Sequence, residues 1–271
     1  MGSRLSVLLM MLIASAGSPR DDGGWRHDRD RSLFREVGHR AEFSSVGLLR
    51  RNGSSESGGS GVLIRPSWVL TAAHVVDGWS PAEDYSFVWD DEIVPVAEVI
   101  LHPGHAIRPT DDRVDLALVR LARSVRGVSP AEILESGQEL GARVAMIGHG
   151  FAQPGNTLGA NQTPPGEKYG GFNIVDSVTA TQLLADFDSP VAPELNALGD
   201  AQPDSLEYIP LGGDSGGGVF VRVGDEWQLA GINGWVRFSL DHVDRHGWYG
   251  LVIHLNRVAP QLAWIEATVE R

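Results

Sequence analysis

From Phe43 onward, short apolar runs alternate with clusters of turn-forming residues. Ser45 to Leu49, Gly61 to Ile64, Trp68 to Thr71, Phe87 to Trp89, Ile93 to Ile100, Asp115 to Leu121, Val144 to Ile147, Val175 to Thr181, Val219 to Val223, Trp227 to Ile232 and Trp248 to Leu255 have the β-branched and aromatic content of strands. Asn52 to Ser60 is a Gly/Ser loop. Ala152 to Gly171, punctuated by Pro154, Gly155, Pro164, Pro165, Gly166, Gly170 and Gly171, predicts a long surface loop. Helical spacing emerges only at the end, in Val258, Leu262, Ile265 and Val269, with Asn256 as the candidate cap. The pattern predicts an all-β fold of barrels or a sandwich with one closing helix.

Before Phe43 the pattern differs. A positive start at Arg4, an apolar run from Leu5 to Ala16 and the small residues Ala14-Ser15-Ala16 predict a secretory signal peptide over residues 1–16. Residues 17–40 are polar and largely aperiodic, which predicts an N-terminal tail or pro-segment, with the basic residues from Arg26 to Arg40 solvated among acids. No later segment is apolar and long enough to cross a bilayer as a helix. The expectation is a protein secreted, or released to the periplasm or cell envelope, with no membrane contact in the mature form.

Composition narrows the chemistry. The 271 residues include no cysteine, so disulfides and thiol catalysis are excluded and stability must come from burial, which a chain of this length can supply. With 22 basic and 35 acidic residues the formal charge is −13, a poor match for nucleic acid. No Gly-rich loop followed by lysine is present to cradle phosphate.

Three segments carry candidate chemistry. Leu211-Gly212-Gly213-Asp214-Ser215-Gly216-Gly217-Gly218 surrounds a serine with glycines, which let a tight backbone aim N–H groups into one space. Trp68-Val69-Leu70-Thr71-Ala72-Ala73-His74 ends a strand in a crowded turn that presents an imidazole, although a lone histidine there is more often structural. Asp115 heads the apolar run to Leu121, where an unpaired carboxylate is costly and a partner is required. A histidine would serve, and so would Arg113. In chain order the three run His, Asp, Ser, the order of the chymotrypsin arrangement.

Thr71-Ala72-Ala73-His74, Asp115-Leu116-Ala117-Leu118 and Gly213-Asp214-Ser215-Gly216-Gly217 resemble the three signature segments of trypsin/chymotrypsin-like serine proteases. Weaker likenesses at Gly58 to Ile64, Gly148-His149-Gly150, Gly231 to Val236 and Gly250 to Leu255 extend the resemblance over the chain from Phe43. It implies two antiparallel six-stranded β-barrels within a peptidase domain at 41–271: barrel one near 41–130, barrel two near 131–255 and a helix near 257–270. It further implies Ser215 as nucleophile, His74 as general base and Asp115 as its orienting partner, with the N–H groups of Gly213 and Ser215 as oxyanion hole and no cofactor or metal. Ile209 falls at the base of the primary pocket and, with Gly234, Trp235, Val236 and Gly250, implies a shallow apolar site for small or medium uncharged side chains. Partners would be polypeptide substrates and protein inhibitors.

One feature of that family is missing. Its members free an Ile-Val-Gly-Gly-like N-terminus whose amine pairs with the residue at the place of Asp214, and this chain has no such tetrapeptide, Val37-Gly38 being a weak substitute. A trypsin-like scaffold retained as an inactive or zymogen-like binding protein, and an esterase using the same three residues, therefore stay open. His102-Pro103-Gly104-His105 has metal-like spacing without further ligands to support it, and relatives often carry a His-Pro turn there.

Overall fold

The computed structural model describes residues 24–53, 58–79, 84–105, 114–135, 137–156, 166–237 and 248–270. The expected signal peptide and residues 17–23 lie outside the described residues, as do Arg113 and residues 157–165 of the predicted loop between Ala152 and Gly171. Regular structure begins earlier than the sequence pattern suggests, with β1 (Gly24–Trp25) and α1 (Arg31–Gly38). Asp30 caps α1 by accepting the Ser32 N–H, and Phe34 and Val37, three apart, bury one face. Trp25 stacks on Phe34 and Tyr169. Arg26, expected in solvent, is buried: it pairs with Asp28 at 2.7 Å and donates to the Asp204 carbonyl at 2.6 Å. Two large aromatics thus anchor a segment whose charged residues disguise it.

The first barrel closes as expected. Strands β2 (Val46–Arg51), β3 (Gly59–Arg65), β4 (Trp68–Thr71), β5 (Tyr85–Trp89), β6 (Glu92–Leu101) and β7 (Ala117–Leu121) pair antiparallel in the order β2-β3-β4-β7-β6-β5, with the one-turn helix α2 (Ala73–Val76) following β4. Leu49, Leu63, Val69, Phe87 and Val119 are fully buried in its core.

The second half contains β8 (Arg143–Gly148), β9 (Gln153–Pro154), β10 (Tyr169–Ile174), β11 (Ser177–Val178), β12 (Gln182–Asp186), β13 (Gly218–Val223), β14 (Glu226–Arg237) and β15 (Val252–Arg257). All but β9 form a seven-stranded antiparallel sheet, β10-β8-β13-β14-β15-β12-β11, rather than a closed six-stranded barrel, while β9 pairs in parallel with β1. β10 and β12 approach without a ladder, through Asn173 Nδ2 donating to the Asp186 carbonyl at 2.7 Å. β10 lies partly inside the predicted loop because Gly170 and Gly171 read as turn residues. Their real role is close approach: a Cβ would stand 2.3 Å from Ile147 Cδ1 at Gly170 and 2.4 Å from Tyr208 Cβ at Gly171.

The C-terminal helix α3 (Leu262–Val269) buries Ile265 in the first-barrel core. Asn256 belongs to β15 rather than capping this helix, which a 3₁₀ turn at Ala259–Gln261 precedes. Among the described residues no helix is long and apolar enough to cross a membrane.

Candidate active site

β4 ends at Thr71 and the chain turns through Ala72 and Ala73, both fully buried, into α2, whose second residue is His74. The crowding expected there is real, since the Ala73 N–H donates to the Asp115 carbonyl at 3.3 Å. Asp115, 3% exposed, precedes β7 and meets His74 twice: Oδ1 accepts the His74 backbone N–H at 2.9 Å, and Oδ2 lies 2.6 Å from Nδ1. Burial pushes the Asp115 carboxyl up, but the charge of His74 and the two hydrogen bonds outweigh it and leave Asp115 below the usual carboxylate range. The pairing fixes the ring, and with a proton on Nδ1 it leaves Nε2 as the basic nitrogen.

Ser215 lies on the loop between Leu211 and Gly218, pressed against the segment that delivers His74. At Gly216, where φ is +85°, a Cβ would stand 2.1 Å from Thr71 Oγ1 and 2.2 Å from the Ser60 carbonyl, so glycine is required twice over. The Ser215 carbonyl accepts the Ser60 N–H at 2.8 Å. Its hydroxyl donates to the Gly234 carbonyl at 3.3 Å, and no hydrogen bond joins Ser215 to His74 among the described residues. The structure therefore brings His74 and Asp115 into direct contact and lodges the serine on β14. Gly234 reaches it through a β-bulge between Asn233 and Trp235, which turns one carbonyl out of the β14–β15 ladder.

The loop geometry around Ser215 is held from several sides. Gly213 has φ +88°, and its carbonyl accepts the Ser60 hydroxyl at 2.9 Å. That same hydroxyl oxygen accepts the His149 N–H at 2.9 Å. The Asp214 N–H turns back to the Leu211 carbonyl at 2.7 Å, while those of Gly213 and Ser215 enter no hydrogen bond among the described residues.

Asp214 is fully enclosed, with three neutral donors: Gly150 N–H to Oδ1 at 2.8 Å, and Leu211 N–H at 3.0 Å and Tyr208 Oη at 2.9 Å to Oδ2. Burial raises its pKa to about 6 against the pull of these donors. The Gly-His-Gly turn exists for this carboxylate, because a Cβ at Gly148 would stand 2.3 Å from Asp214 Oδ1 and one at Gly150 2.6 Å from Asp214 N.

Ile209 and Val236 are both buried in the second core, with Phe187 and Tyr249. Trp235 stacks on His254 with ring centroids 5.0 Å apart, and the Gly250 N–H donates to the Phe187 carbonyl at 2.8 Å. Tyr208, Ser60 and His105 escaped the sequence reading as members of the site. Ser60 and His105 stood in segments that drew notice for other reasons, a strand and a metal-like spacing. For Tyr208 no local pattern gave a signal.

A family model described as "Trypsin-like peptidase domain" matches residues 59–232. Mouse vitamin K-dependent protein C is 25% identical over 232 residues, covering 77% of this chain and 45% of that protein. Human transmembrane protease serine 5 is 25% identical over 231 residues, covering 78% and 46%. The chain thus spans less than half the length of these two relatives. Mouse tryptase is 27% identical over 230 residues, covering 78% of both. In fold the chain is similar to neuropsin, a serine protease expressed in the limbic system of mouse brain, with TM-score 0.60 and 20% identity over 86% of this chain and 97% of that one.

Proposed function

The chain belongs to the trypsin-like peptidase family, and from that premise we propose that it is a secreted serine endopeptidase working through an acyl-enzyme. The observation that carries the reading is the doubly hydrogen-bonded His74–Asp115 pair beside the Gly213–Gly217 loop. A rotation about the Cα–Cβ bond of Ser215 exchanges the Gly234 carbonyl for His74 Nε2, a contact that in free enzymes often tightens only when substrate is bound. His74 then takes the hydroxyl proton as Ser215 Oγ bonds to the scissile carbonyl carbon, and returns it to the amine as the C–N bond breaks. Asp115 holds the ring and stabilises its charged form. The N–H groups of Gly213 and Ser215 receive the oxyanion, where loss of one such donor costs ~3 kcal/mol of barrier. Water, deprotonated by His74, releases the acyl group.

The buried Ile209 and Val236 support a preference for small or medium uncharged side chains in the primary pocket. The three neutral donors on Asp214 support a loop ordered without a freed N-terminal amine, hence activity that needs no cleavage of a precursor. The Gly234-bound rotamer of Ser215 favours one second reading, a latent form that peptide substrate converts. Digestion of a peptide library tests both parts. The reading expects internal cleavage after alanine, valine or leucine, abolished in Ser215→Ala; cleavage after lysine or arginine would refute the pocket, and no cleavage at all would refute the activity.

A further inference from the structure

His105 places a second imidazole against the carboxylate that holds the first. Its side chain is 8% exposed, with Nδ1 3.6 Å from Asp115 Oδ1 and Nε2 3.6 Å from Asp77 Oδ2. Neither ring nitrogen makes a hydrogen bond among the described residues. Asp115 thus has an imidazole at each oxygen, and His105 has a carboxylate at each nitrogen.

The local chain makes this placement firm. The His102 N–H donates to the Leu116 carbonyl at 2.9 Å, the His105 N–H closes the turn onto the His102 carbonyl at 2.8 Å, and the Gly104 N–H meets His102 Nδ1 at 3.0 Å. The His102 ring packs edge-on against Trp264 of α3, centroids 4.6 Å apart. Asp77 ends α2, its N–H on the Ala73 carbonyl at 2.8 Å, three residues after His74. His105 therefore bridges the helix end that carries His74 and the strand head that carries Asp115.

A neutral imidazole has one N–H and can serve one of these carboxylates, turning a lone pair toward the other; the doubly protonated ring serves both. We propose that His105, set between Asp77 and Asp115, acts as a positioning residue that keeps Asp115 Oδ2 on His74 Nδ1. Among the described residues, the charged and titratable groups facing it are Asp115 and Asp77, with His74 behind Asp115 and His102 across the turn. The inference rests on the reading of His74 as general base. It asks nothing of substrate binding, so its loss should fall on kcat and spare KM.

The test compares full-length wild type with His105→Leu, which removes both donors, His105→Asn, which returns one donor toward Asp115, and Asp77→Asn. Readouts are kcat and KM on an internally quenched peptide, and the low-field proton resonance of the His74–Asp115 hydrogen bond. His105→Leu should lose about tenfold or more in kcat, the scale on which misplaced catalytic groups cost rate, with KM within about twofold and the resonance shifted or broadened. His105→Asn should restore most of the rate and the resonance, and Asp77→Asn should lower kcat in the same direction. Wild-type kcat and resonance in folded His105→Leu would overturn the proposal, as would equal losses in the Leu and Asn variants. If His105→Leu does not fold, the Asn and Asp77 variants carry the comparison. Failure of wild type to react with a fluorophosphonate would instead sink the protease reading, while the resonance would still report whether His105 holds the pair.

Discussion

Tyr208 Oη donates to Asp214 Oδ2 at 2.9 Å, so a neutral phenol joins two backbone N–H groups in satisfying the carboxylate that underlies the Ser215 loop. Burial raises the Asp214 pKa to about 6, and the Tyr208 hydrogen bond opposes that rise. A carboxylate with a raised folded-state pKa favours the folded state below its ordinary range and loses that advantage as pH climbs through the folded value. Tyr208→Phe should therefore destabilise the protein most at pH 8, by ~1.5–3 kcal/mol for a hydrogen bond to a charged group, with the difference narrowing toward pH 4. Its acid limb of kcat/KM should move to higher pH. Urea denaturation and pH–rate profiles of the two proteins check this, and identical profiles would contradict it.

Gly216→Ala should abolish peptidase activity. The left-handed backbone and the 2.1 Å approach to Thr71 Oγ1 leave no room for a methyl group. Relief requires the Ser215 loop to lift from Thr71 and Ser60, at a cost of a few kcal/mol. Gly224→Ala, in open space at φ +61°, is the control: it should cost ~1 kcal/mol of stability and leave kcat intact. Chemical denaturation and peptide hydrolysis measured on both variants separate backbone strain from the clash.

Lys168 ties the two halves together, donating to the Phe43 carbonyl at 2.6 Å and the Val46 carbonyl at 2.8 Å. Burial lowers its pKa to about 7. Between that value and the ordinary lysine range the unfolded chain binds the extra proton, so this residue makes stability rise with pH above about 7. In Lys168→Met that rise should disappear, and two carbonyls lose a donor, which costs ~1–3 kcal/mol each. Denaturation midpoints at pH 7 and pH 9 report both effects.

Asp188 follows β12 with Oδ1 buried and unpaired among the described residues. Burial raises its pKa to about 7, with the charges of Asp186, Asp176 and Asp200 adding to the effect. The same sign argument applies: protonated Asp188 favours the folded state below the ordinary carboxylate range, and that advantage is lost as pH climbs through about 7. Asp188→Asn should raise the melting temperature at pH 8 and leave it nearly unchanged at pH 4. A lower melting temperature at pH 8 would instead show that the ionised carboxylate has a favourable partner.

How far the sequence reaches can be judged from particular residues. The first barrel was legible because each strand stands between turn residues; the carboxylate heading an apolar strand signalled only that Asp115 needs a partner, histidine or Arg113, and the resemblance pointed to His74. β10 was not, since its glycines signal turns locally while their reason is distant, in Ile147 and Tyr208. α1 was hidden for the opposite cause: eight residues, half of them polar, hold only two inward apolar side chains. The partner of Asp214 was beyond local reading altogether, because two of its donors are backbone groups placed by tertiary contacts. His105 was visible as a histidine in a turn, and only the fold brings it to Asp115.

Peptidase activity requires that Ser215 be an activated nucleophile. Intact-mass measurement after exposure to a fluorophosphonate tests this directly, with Ser215→Ala and His74→Ala alongside. One adduct is expected on the wild-type protein, none on Ser215→Ala and much slower labelling of His74→Ala. An unlabelled wild type under conditions that modify chymotrypsin, or an adduct that persists in Ser215→Ala, would contradict it.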